Sequence, residues 1–225
     1  MKVRELLEGI TEAPLPSEWD QQVYTPQTSY KKRIDYAVAR AQKLGKGSSR
    51  SAFEIPYQGR MTVLKVAHNT KGMAQNKAEA ELLSDGYLSS LDIVIPIIDY
   101  DEEHQQPVWI HTEKALKATP KQLCEIMKCP SLNDLVNSSV QAYTGETIGG
   151  DVLSKSKQVV AQKWGEDAVE TFLEYVDKLQ ELQQFNIKIR DFDRAANWGL
   201  YNGNPVVIDL GLTSDVSKKY YEGRG

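Results

Sequence analysis

The chain has 225 residues, of which 40% are hydrophobic and 26% charged, a composition typical of globular proteins. Its net charge of −4 predicts no general attraction to nucleic acid or to an anionic membrane. We expect no transmembrane helix and no secretory signal, because no apolar run is long enough for either. These features predict a cytoplasmic protein in which the two cysteines, Cys124 and Cys129, are reduced thiols.

The N-terminal part, residues 1–43, is predicted to hold a short helix and an arm that contains three prolines. A second helix over residues 30–43 is expected to end at Gly45, because apolar side chains recur there at helical spacing. If the chain forms a homo-oligomer, we expect the proline-containing arm to contact the neighbouring subunit.

Residues 44–115 are predicted to form a β-rich region that includes one helix. Short runs of β-branched and apolar residues favour strands, and Gln58-Gly59 favours a hairpin turn between the first two. The predicted elements are strands at 52–55 and 61–66, a helix within 74–90, and strands at 93–100 and 107–112.

Residues 116–225 are predicted to be mainly helical, with short strands near the end. The chain as a whole is therefore expected to be α+β, with a β-rich part followed by a helical part. The predicted elements are helices within 120–140 and 157–184, a Gly- and Ser-rich loop at 141–156, and strands at 187–189, 198–201 and 205–208.

Two glycines, Gly45 and Gly47, precede the first predicted hairpin. Glycines let a backbone approach phosphate groups closely, and successive N–H groups can point at the anion. The alternative is a helix end followed by a flexible turn.

Lys65 lies in the apolar run Val63–Val66, where a cation is costly unless it is paired or faces a ligand. The next helix offers Glu79 and Glu81 as partners. Glu79 is preferred, because its spacing to Leu83 leaves the apolar residues facing the core. The alternative is a lysine that extends from an edge strand to solvent.

A group of oxygen-bearing side chains follows near the end of the chain: Asp191, Asp193, Asn197 and Asp209. A carboxylate can accept the proton of an attacking hydroxyl, and Asn and Asp oxygens can hold Mg²⁺. A hairpin with an Asn-Gly turn should return Asp209 beside Asn197. The alternatives are a solvated turn for the first three and a strand end for Asp209.

The order of these pieces resembles the protein kinase-like fold, and most closely the compact serine/threonine kinases of T7-type bacteriophages. The resemblance implies two lobes, a β-rich N-lobe and a minimal helical C-lobe, and it implies ATP and Mg²⁺ as cofactors. It implies that Gly45 and Gly47 cover the nucleotide phosphates, and that Lys65 contacts the α- and β-phosphates and pairs with Glu79. The backbone near Glu113 would bind adenine. The resemblance also implies that Asp191 is the catalytic base and that Asn197 and Asp209 bind Mg²⁺.

The sequence departs from the family pattern at several positions. Arg50 stands where the family has a third glycine, and Ile189 where it has His or Tyr. In the family, the catalytic Asp precedes the Asn by five residues. Here Asp191 precedes Asn197 by six residues and Asp193 precedes it by four, so either could be the base. Asp191 is favoured because it follows Arg190. We also expect no activation segment in the few residues after Gly211.

Three functions are consistent with these residues. The first is an ATP- and Mg²⁺-dependent phosphotransferase that acts on Ser or Thr of a protein or on itself, with Ser48, Ser49 and Ser51 as self-targets. The second is a pseudokinase or structural module of a phage virion or host-takeover complex, which would bind a partner subunit. The third, ranked last, is a small-molecule kinase of the aminoglycoside or choline type.

Overall fold

A computed structural model describes residues 38–39, 41–102, 105–146 and 150–221. The helix and proline-containing arm predicted for the first residues lie outside this part of the chain. The fold divides into two compact units. The first, called the β unit, contains the described residues up to Ser84, Pro96–Lys114 and the residues from Val216 onward. The second, called the helical unit, contains Asp85–Ile95 and Ala115–Asp215.

The described elements of the β unit are β1 Gln42–Lys46, β2 Arg50–Tyr57, β3 Arg60–Ala67, α1 Thr70–Leu83, β4 Ile97–Tyr100 and β5 Trp109–Glu113. The strands form a five-stranded antiparallel sheet of order β1-β2-β3-β5-β4. The predicted turn between β2 and β3 is confirmed, because Gln58 and Gly59 both have positive φ, 48° and 75°, as a tight hairpin turn requires. The helix α1 packs beside the sheet, and the Asn69 side chain caps it by accepting from the Gly72 N–H.

The helix predicted to run as far as Gly45 is wrong at its end, because Gln42–Lys46 is strand β1. This strand pairs antiparallel with β2, and its register shifts between Lys43 and Gly45. Helical spacing is a local signal, whereas the exposed edge of β2 offers a row of backbone hydrogen bonds that only the folded sheet supplies. Val38 and Ala41, which belong to the predicted helical stripe, still pack against the core of the β unit.

The run predicted as one strand over residues 93–100 is divided at Pro96. Val94 forms a parallel bridge to Val207 in the helical unit, and Ile97–Tyr100 forms β4 in the β unit. Proline has no backbone N–H to donate, so a strand is readily interrupted there.

A buried histidine lies in the core of the β unit. His111, in β5, is fully buried beside Thr62, with 2.7 Å between its Nε2 and the Thr62 hydroxyl, and its ring meets the Tyr57 ring edge-on. Burial lowers the pKa of His111 from 6.5 to about 4, and Glu113 raises it by a smaller amount.

We therefore expect stability to fall in mild acid. The unfolded chain binds a proton on His111 below pH 6.5, whereas the folded protein resists it until about pH 4. Lowering the pH from 7.5 to 5 should cost about 2 kcal/mol of unfolding free energy through this residue. Urea unfolding at both pH values measures the loss, and His111→Asn should reduce it. An equal pH dependence in the two proteins would contradict this assignment.

Within its described residues, the helical unit contains α2 Gly86–Ser90, β6 Leu116–Lys117, α3 Pro120–Met127, α4 Leu132–Thr144, α5 Val152–Trp164, α6 Asp167–Gln184, the 3-10 helices Ile189–Asp193 and Ala195–Asn197, β7 Trp198–Tyr201 and β8 Asn204–Val207; a last helix, α7 Ser214–Tyr220, begins in this unit. The three strands form a sheet of order β6-β7-β8. The apolar spacing in α6 predicts a core face of Ala168, Val169, Phe172, Val176 and Leu179. All of these are buried except Val169, which is partly exposed.

Two local predictions for this unit are wrong. The predicted loop at 141–156 is much shorter, because α4 continues to Thr144 and α5 begins at Val152, where Asp151 caps it by accepting from the Ser154 N–H. The strand predicted at 187–189 is reduced to a single bridge from Ile187 to Thr213, and a 3-10 helix begins at Ile189.

The α+β class is confirmed, and the order of elements in the β unit is the order that the resemblance to the protein kinase-like fold implied. No helix in the described part of the chain is both long enough and apolar enough to span a bilayer.

Candidate functional site

The predicted lysine–glutamate pair is present in the β unit. The ammonium group of Lys65, in β3, donates to Oε1 of Glu79, in α1. The Glu79 side chain is completely buried, and that of Lys65 is 11% exposed. Glu81, the other candidate, faces solvent and forms an i,i+4 pair with Lys77 at 3.8 Å. A buried cation in this sheet is therefore paired, as its position among apolar residues required.

Arg50 is a second cation on the same carboxylate, and the sequence analysis did not assign it a partner. Its Nη1 lies 2.5 Å from Oε2 of Glu79 and 3.2 Å from Oδ1 of Asn76. The Asn76 amide is itself anchored, because it donates to the backbone carbonyls of Pro107 and Val108 at 3.1 and 2.9 Å. Glu79 thus contacts one cation through each of its oxygens.

The register of the hairpin explains why Arg50 and Lys65 meet. Arg50 pairs with Ala67 and Ala52 pairs with Lys65, so the two cations are diagonal neighbours on one face of the sheet. The turn at Gln58-Gly59 was predicted correctly, and counting outward from it gives this register. Counting residue pairs outward from the predicted turn could therefore have identified Arg50 as a neighbour of Lys65 on the same face of the sheet.

The two predicted loop glycines lie where β1 turns into β2. Gly45 is within β1, and the Gly47 N–H donates to the Arg50 carbonyl at 2.8 Å, which closes a tight turn. Neither glycine has a positive φ, and a Cβ at Gly45 would meet no described atom within 4 Å. The fold of the described residues therefore does not itself demand glycine at Gly45, and its approach to nucleotide phosphates stays a prediction.

The three serines of this turn differ in exposure. Ser49 and Ser51 are buried, and their hydroxyls bond to Gln75 and to Nε2 of His68. Ser48, at the tip, is exposed. Burial, followed by the charges of Lys46 and Lys43, lowers the pKa of His68, so its ring stays neutral near pH 7 and adds no charge beside the turn.

Glu113, the predicted hinge residue, ends β5 one residue before the chain leaves the β unit. Its carboxylate forms an ion pair with the Arg60 guanidinium, in which Nη2 of Arg60 lies 2.5 Å from Oε1 of Glu113. Its backbone N–H donates to the Pro96 carbonyl at 2.9 Å. The Glu113 N–H is therefore used within the β unit, and adenine binding at this residue stays a prediction.

In the helical unit, Asp191 and Asn197 are held together. The Asn197 side-chain amide donates to the Asp191 carbonyl at 2.7 Å, which fixes the segment between the two 3-10 helices. Phe192 anchors that segment, because its ring is buried and its carbonyl accepts from the Trp198 indole at 2.8 Å. The side chain of Asp191 is half-buried.

Asp193, the alternative base, has a different environment. Its side chain is exposed, 4.0 Å from Nε of Arg194, and it lines a cavity of about 500 Å³ in the helical unit. Asp191, by contrast, is half-buried, and its backbone carbonyl accepts from the Asn197 amide. This bond involves the Asp191 backbone and not its carboxylate, so Asp191 as the base stays a prediction.

The predicted hairpin returns the chain to Asn197. β7 and β8 pair from Trp198–Val207 to Tyr201–Asn204, and the Ile208 N–H donates to the Asn197 carbonyl at 2.9 Å. Asp209 follows directly, with its carboxylate exposed and its Oδ1 accepting from the Gly211 N–H at 3.3 Å. The hairpin thus brings the backbone of Asp209 next to that of Asn197.

The residues around Asn197 and Asp209 fit Mg²⁺ in donor type. Both supply oxygen ligands, and Nδ2 of Asn197 is bound to Asp191, so Oδ1 is the atom suited to a cation. In the described part of the chain, no three His, Cys, Asp or Glu side chains cluster as a metal site. Mg²⁺ commonly takes only one or two protein ligands and completes its shell with water and substrate phosphates, so Asn197 and Asp209 fit it in number and kind of donor, and their joint ligation of the ion stays a prediction.

No protein-family model matches the sequence, and no curated protein matches it. The chain is similar in fold to solved structures of the aminoglycoside phosphotransferase APH(4)-Ia. A thermostable variant of that enzyme, with AMP-PNP and hygromycin B, is 17% identical over 82% of this chain and 71% of its own, with a TM-score of 0.36. Another APH(4)-Ia structure is 15% identical over 80% of this chain and 71% of its own, with a TM-score of 0.34. A variant with ADP and hygromycin B is 15% identical over 82% and 71%, with a TM-score of 0.32. These likenesses concern the fold alone.

Proposed function

We propose that the chain is an ATP- and Mg²⁺-dependent phosphotransferase that modifies Ser or Thr of a protein or of itself, like the compact kinases of T7-type phages. The observation that carries the proposal is the buried Lys65–Glu79 pair. A lysine in the middle of a sheet is costly to bury, and one held by a helix carboxylate is the arrangement that phosphoryl-transfer enzymes use to position phosphates.

Each residue has a role under this proposal. Lys65 would bind the α- and β-phosphates, with Glu79 orienting its ammonium group. Asn197 and Asp209 would hold Mg²⁺, which when bound supplies positive charge to the phosphates. Asp191 would accept the proton of the acceptor hydroxyl as that oxygen bonds to the γ-phosphorus and the bond to ADP breaks.

The exposure of the serines in the turn between β1 and β2 limits which of them the protein could phosphorylate on itself. Ser49 and Ser51 are buried and their hydroxyls are hydrogen-bonded, so phosphorylation there would first require the turn to open. Ser48 is exposed at the tip. If the chain phosphorylates itself within this turn, we expect Ser48 to carry the phosphate, and peptide mass spectrometry after incubation with Mg-ATP would identify the position.

The direct test is transfer of radiolabelled phosphate from ATP to the protein itself, to a general Ser/Thr protein substrate and to an aminoglycoside. We expect incorporation on a protein acceptor, and we expect Asp209→Ala to reduce it to background. Asp177→Ala is the matched control, because Asp177 is an exposed acid on α6 and should leave incorporation unchanged. Equal incorporation by the Asp209 variant and the unaltered protein would contradict the proposal. Labelling of the aminoglycoside alone would support the third function instead.

A pseudokinase that binds a partner is the second candidate, and two observations favour it. The Gly47 N–H is occupied by the Arg50 carbonyl, and Ile189 is buried where the family has a polar catalytic residue. Thermal unfolding with and without Mg-ATP separates the two, because a ligand of the native state raises its apparent stability. No shift in midpoint would favour the pseudokinase.

A further inference from the structure

We infer that Cys124 and Cys129 form a redox-sensitive thiol pair, in which a hydroperoxide oxidises the Cys124 sulfur and Cys129 then closes a disulfide with it. This reaction is independent of the proposed phosphate transfer, because it uses no residue to which that proposal gives a role. Both cysteines are free thiols in the structure, which is the reduced state from which the reaction starts.

The backbone at the end of α3 places the two cysteine side chains together. Lys128 follows the helix in the left-handed conformation, with a φ of 52°, and the Cys129 N–H then donates back to the Cys124 carbonyl at 3.1 Å. This is the long backbone bond of a Schellman motif, in which the side chains of the two bonded residues frequently make contact. Here both of those residues are cysteines, and their thiols are hydrogen-bonded to each other. The pair can therefore react without the movement of a distant segment.

The two thiols differ in their access to solvent. Cys129 is fully buried, whereas Cys124 is half-buried and lines the cavity of about 500 Å³ in the helical unit. A small oxidant that enters this cavity from solvent meets the Cys124 sulfur first. Cys124 is therefore the thiol that the oxidant attacks, and Cys129 takes part only through its contact with Cys124.

The surroundings of Cys124 favour its thiolate, which is the form that reacts with peroxides. The hydrogen bond from the Cys129 thiol lowers the pKa of Cys124 most, and the Lys163 charge and the backbone N–H of Leu132, the first residue of α4, lower it further. Burial and the Asp134 carboxylate act in the opposite direction. The pKa of Cys129 is raised, because its proton is held in the bond to Cys124 and its sulfur is buried. One thiol of the pair is therefore activated, and the other keeps its proton until the second step.

The reaction has two steps. The Cys124 thiolate attacks one oxygen of hydrogen peroxide, the O–O bond breaks, and the products are a sulfenic acid on Cys124 and hydroxide, which takes up the proton that Cys124 had released. The Cys129 sulfur then attacks the Cys124 sulfur, and the hydroxyl of the sulfenic acid leaves with the Cys129 proton as water. The two thiols together lose two electrons, and the peroxide is reduced to two water molecules. Closure of the disulfide also protects the Cys124 sulfur from further, irreversible oxidation.

The experiment follows both thiols by mass spectrometry after the full chain has been exposed to hydrogen peroxide near pH 7. Remaining thiols are alkylated with iodoacetamide in denaturant. We expect the unaltered protein to lose both alkylatable thiols and two hydrogen atoms, as one intramolecular disulfide that dithiothreitol reverses. Cys129→Ser should stop at the sulfenic acid, which dimedone traps on Cys124. Cys124→Ser should lose its remaining thiol at least about 10-fold more slowly, because that thiol is buried and protonated.

Two lysines on α5 test the activating charge. Lys163→Gln should slow the oxidation about two- to threefold, because a charge screened by solvent contributes only a modest stabilisation to the thiolate. Lys157→Gln is the matched control, since Lys157 is an exposed lysine on the same helix and should leave the rate unchanged. Thermal unfolding of every variant checks that the fold is kept, and Cys129→Ala replaces Cys129→Ser if a buried hydroxyl is not tolerated.

The outcomes are distinct. A disulfide within the unaltered chain, together with a sulfenic acid trapped on Cys124 of the Cys129 variant, would support the inference. Two intact thiols under conditions that oxidise free cysteine would overturn it, and so would disulfides that join two chains instead of closing within one. Oxidation of Cys124→Ser at the rate of the unaltered protein would overturn the assignment of Cys124 as the attacked thiol. Equal rates in the two lysine variants would overturn the role of Lys163.

Discussion

Glu79→Ala should lower the free energy of unfolding by about 3–5 kcal/mol, because it leaves two cations in the interior without their shared carboxylate. Lys65 is 11% exposed and Arg50 9% exposed, so neither reaches bulk water without rearrangement of the sheet or of α1. The loss is measured by urea denaturation near pH 7 and low salt, with the midpoint and the slope both fitted. An unchanged slope would show that the folded state keeps its compactness.

Glu81→Ala is the matched control for this variant. Glu81 lies two residues further along α1, its side chain is 68% exposed, and its contact with Lys77 is a single surface pair. Such pairs contribute little, so the unfolding free energy should change by less than about 0.5 kcal/mol. Equal effects of the two substitutions would contradict the assignment of Glu79 as the buried anchor of this part of the β unit.

Gly72→Ala should destabilise the protein by about 3 kcal/mol or more. A Cβ at Gly72 would lie 2.2 Å from the Ser49 carbonyl oxygen and 3.1 Å from the Ala67 side chain. The first contact is with backbone, so relief requires the turn or the helix to move. That carbonyl also accepts from the His68 N–H at 2.8 Å, and the movement would break this bond.

Gly86→Ala provides the comparison, because it is the same substitution in a helix with free space around it. No described atom lies within 4 Å of a Cβ at Gly86, and its φ is not positive. Alanine there reduces the freedom of the unfolded chain and should raise stability by about 0.4–1 kcal/mol. Thermal unfolding of the two variants should therefore shift the midpoint in opposite directions. A decrease of similar size in both would contradict the steric argument for Gly72.

The features predicted correctly were those whose physical requirement, such as a partner for a buried charge, can be read from a short segment of the sequence. Lys65 in an apolar strand needs a partner wherever the strand lies, and the apolar spacing on the next helix distinguished Glu79 from Glu81. The hairpins at Gln58-Gly59 and Asn202-Gly203 followed from turn chemistry, because both turns need residues that tolerate positive φ. In these cases a short segment contains the whole physical argument.

The features missed depend on partners that are distant in sequence or on local competition. Residues 42–46 carry no strong strand signal, and they form β1 because β2 offers them an edge. Asp151 starts a helix inside a segment whose glycines and serines favoured a loop. Arg50 was missed as a second partner of Glu79, and its other contact is Asn76, which is anchored to carbonyls 31 and 32 residues further along the chain.

The way the β unit is assembled from separate segments has a consequence for synthesis on the ribosome. Gln75, in α1, donates to the Tyr221 hydroxyl at 3.2 Å from a position 146 residues earlier, and the Lys71 ammonium lies 3.2 Å from the centre of the Tyr221 ring. The whole helical unit is translated between these two partners. The sheet can therefore form while the chain is still emerging, but the side of α1 that carries Lys71 and Gln75 must wait for Tyr221. A nascent chain stalled before that residue would present an incomplete β unit to chaperones.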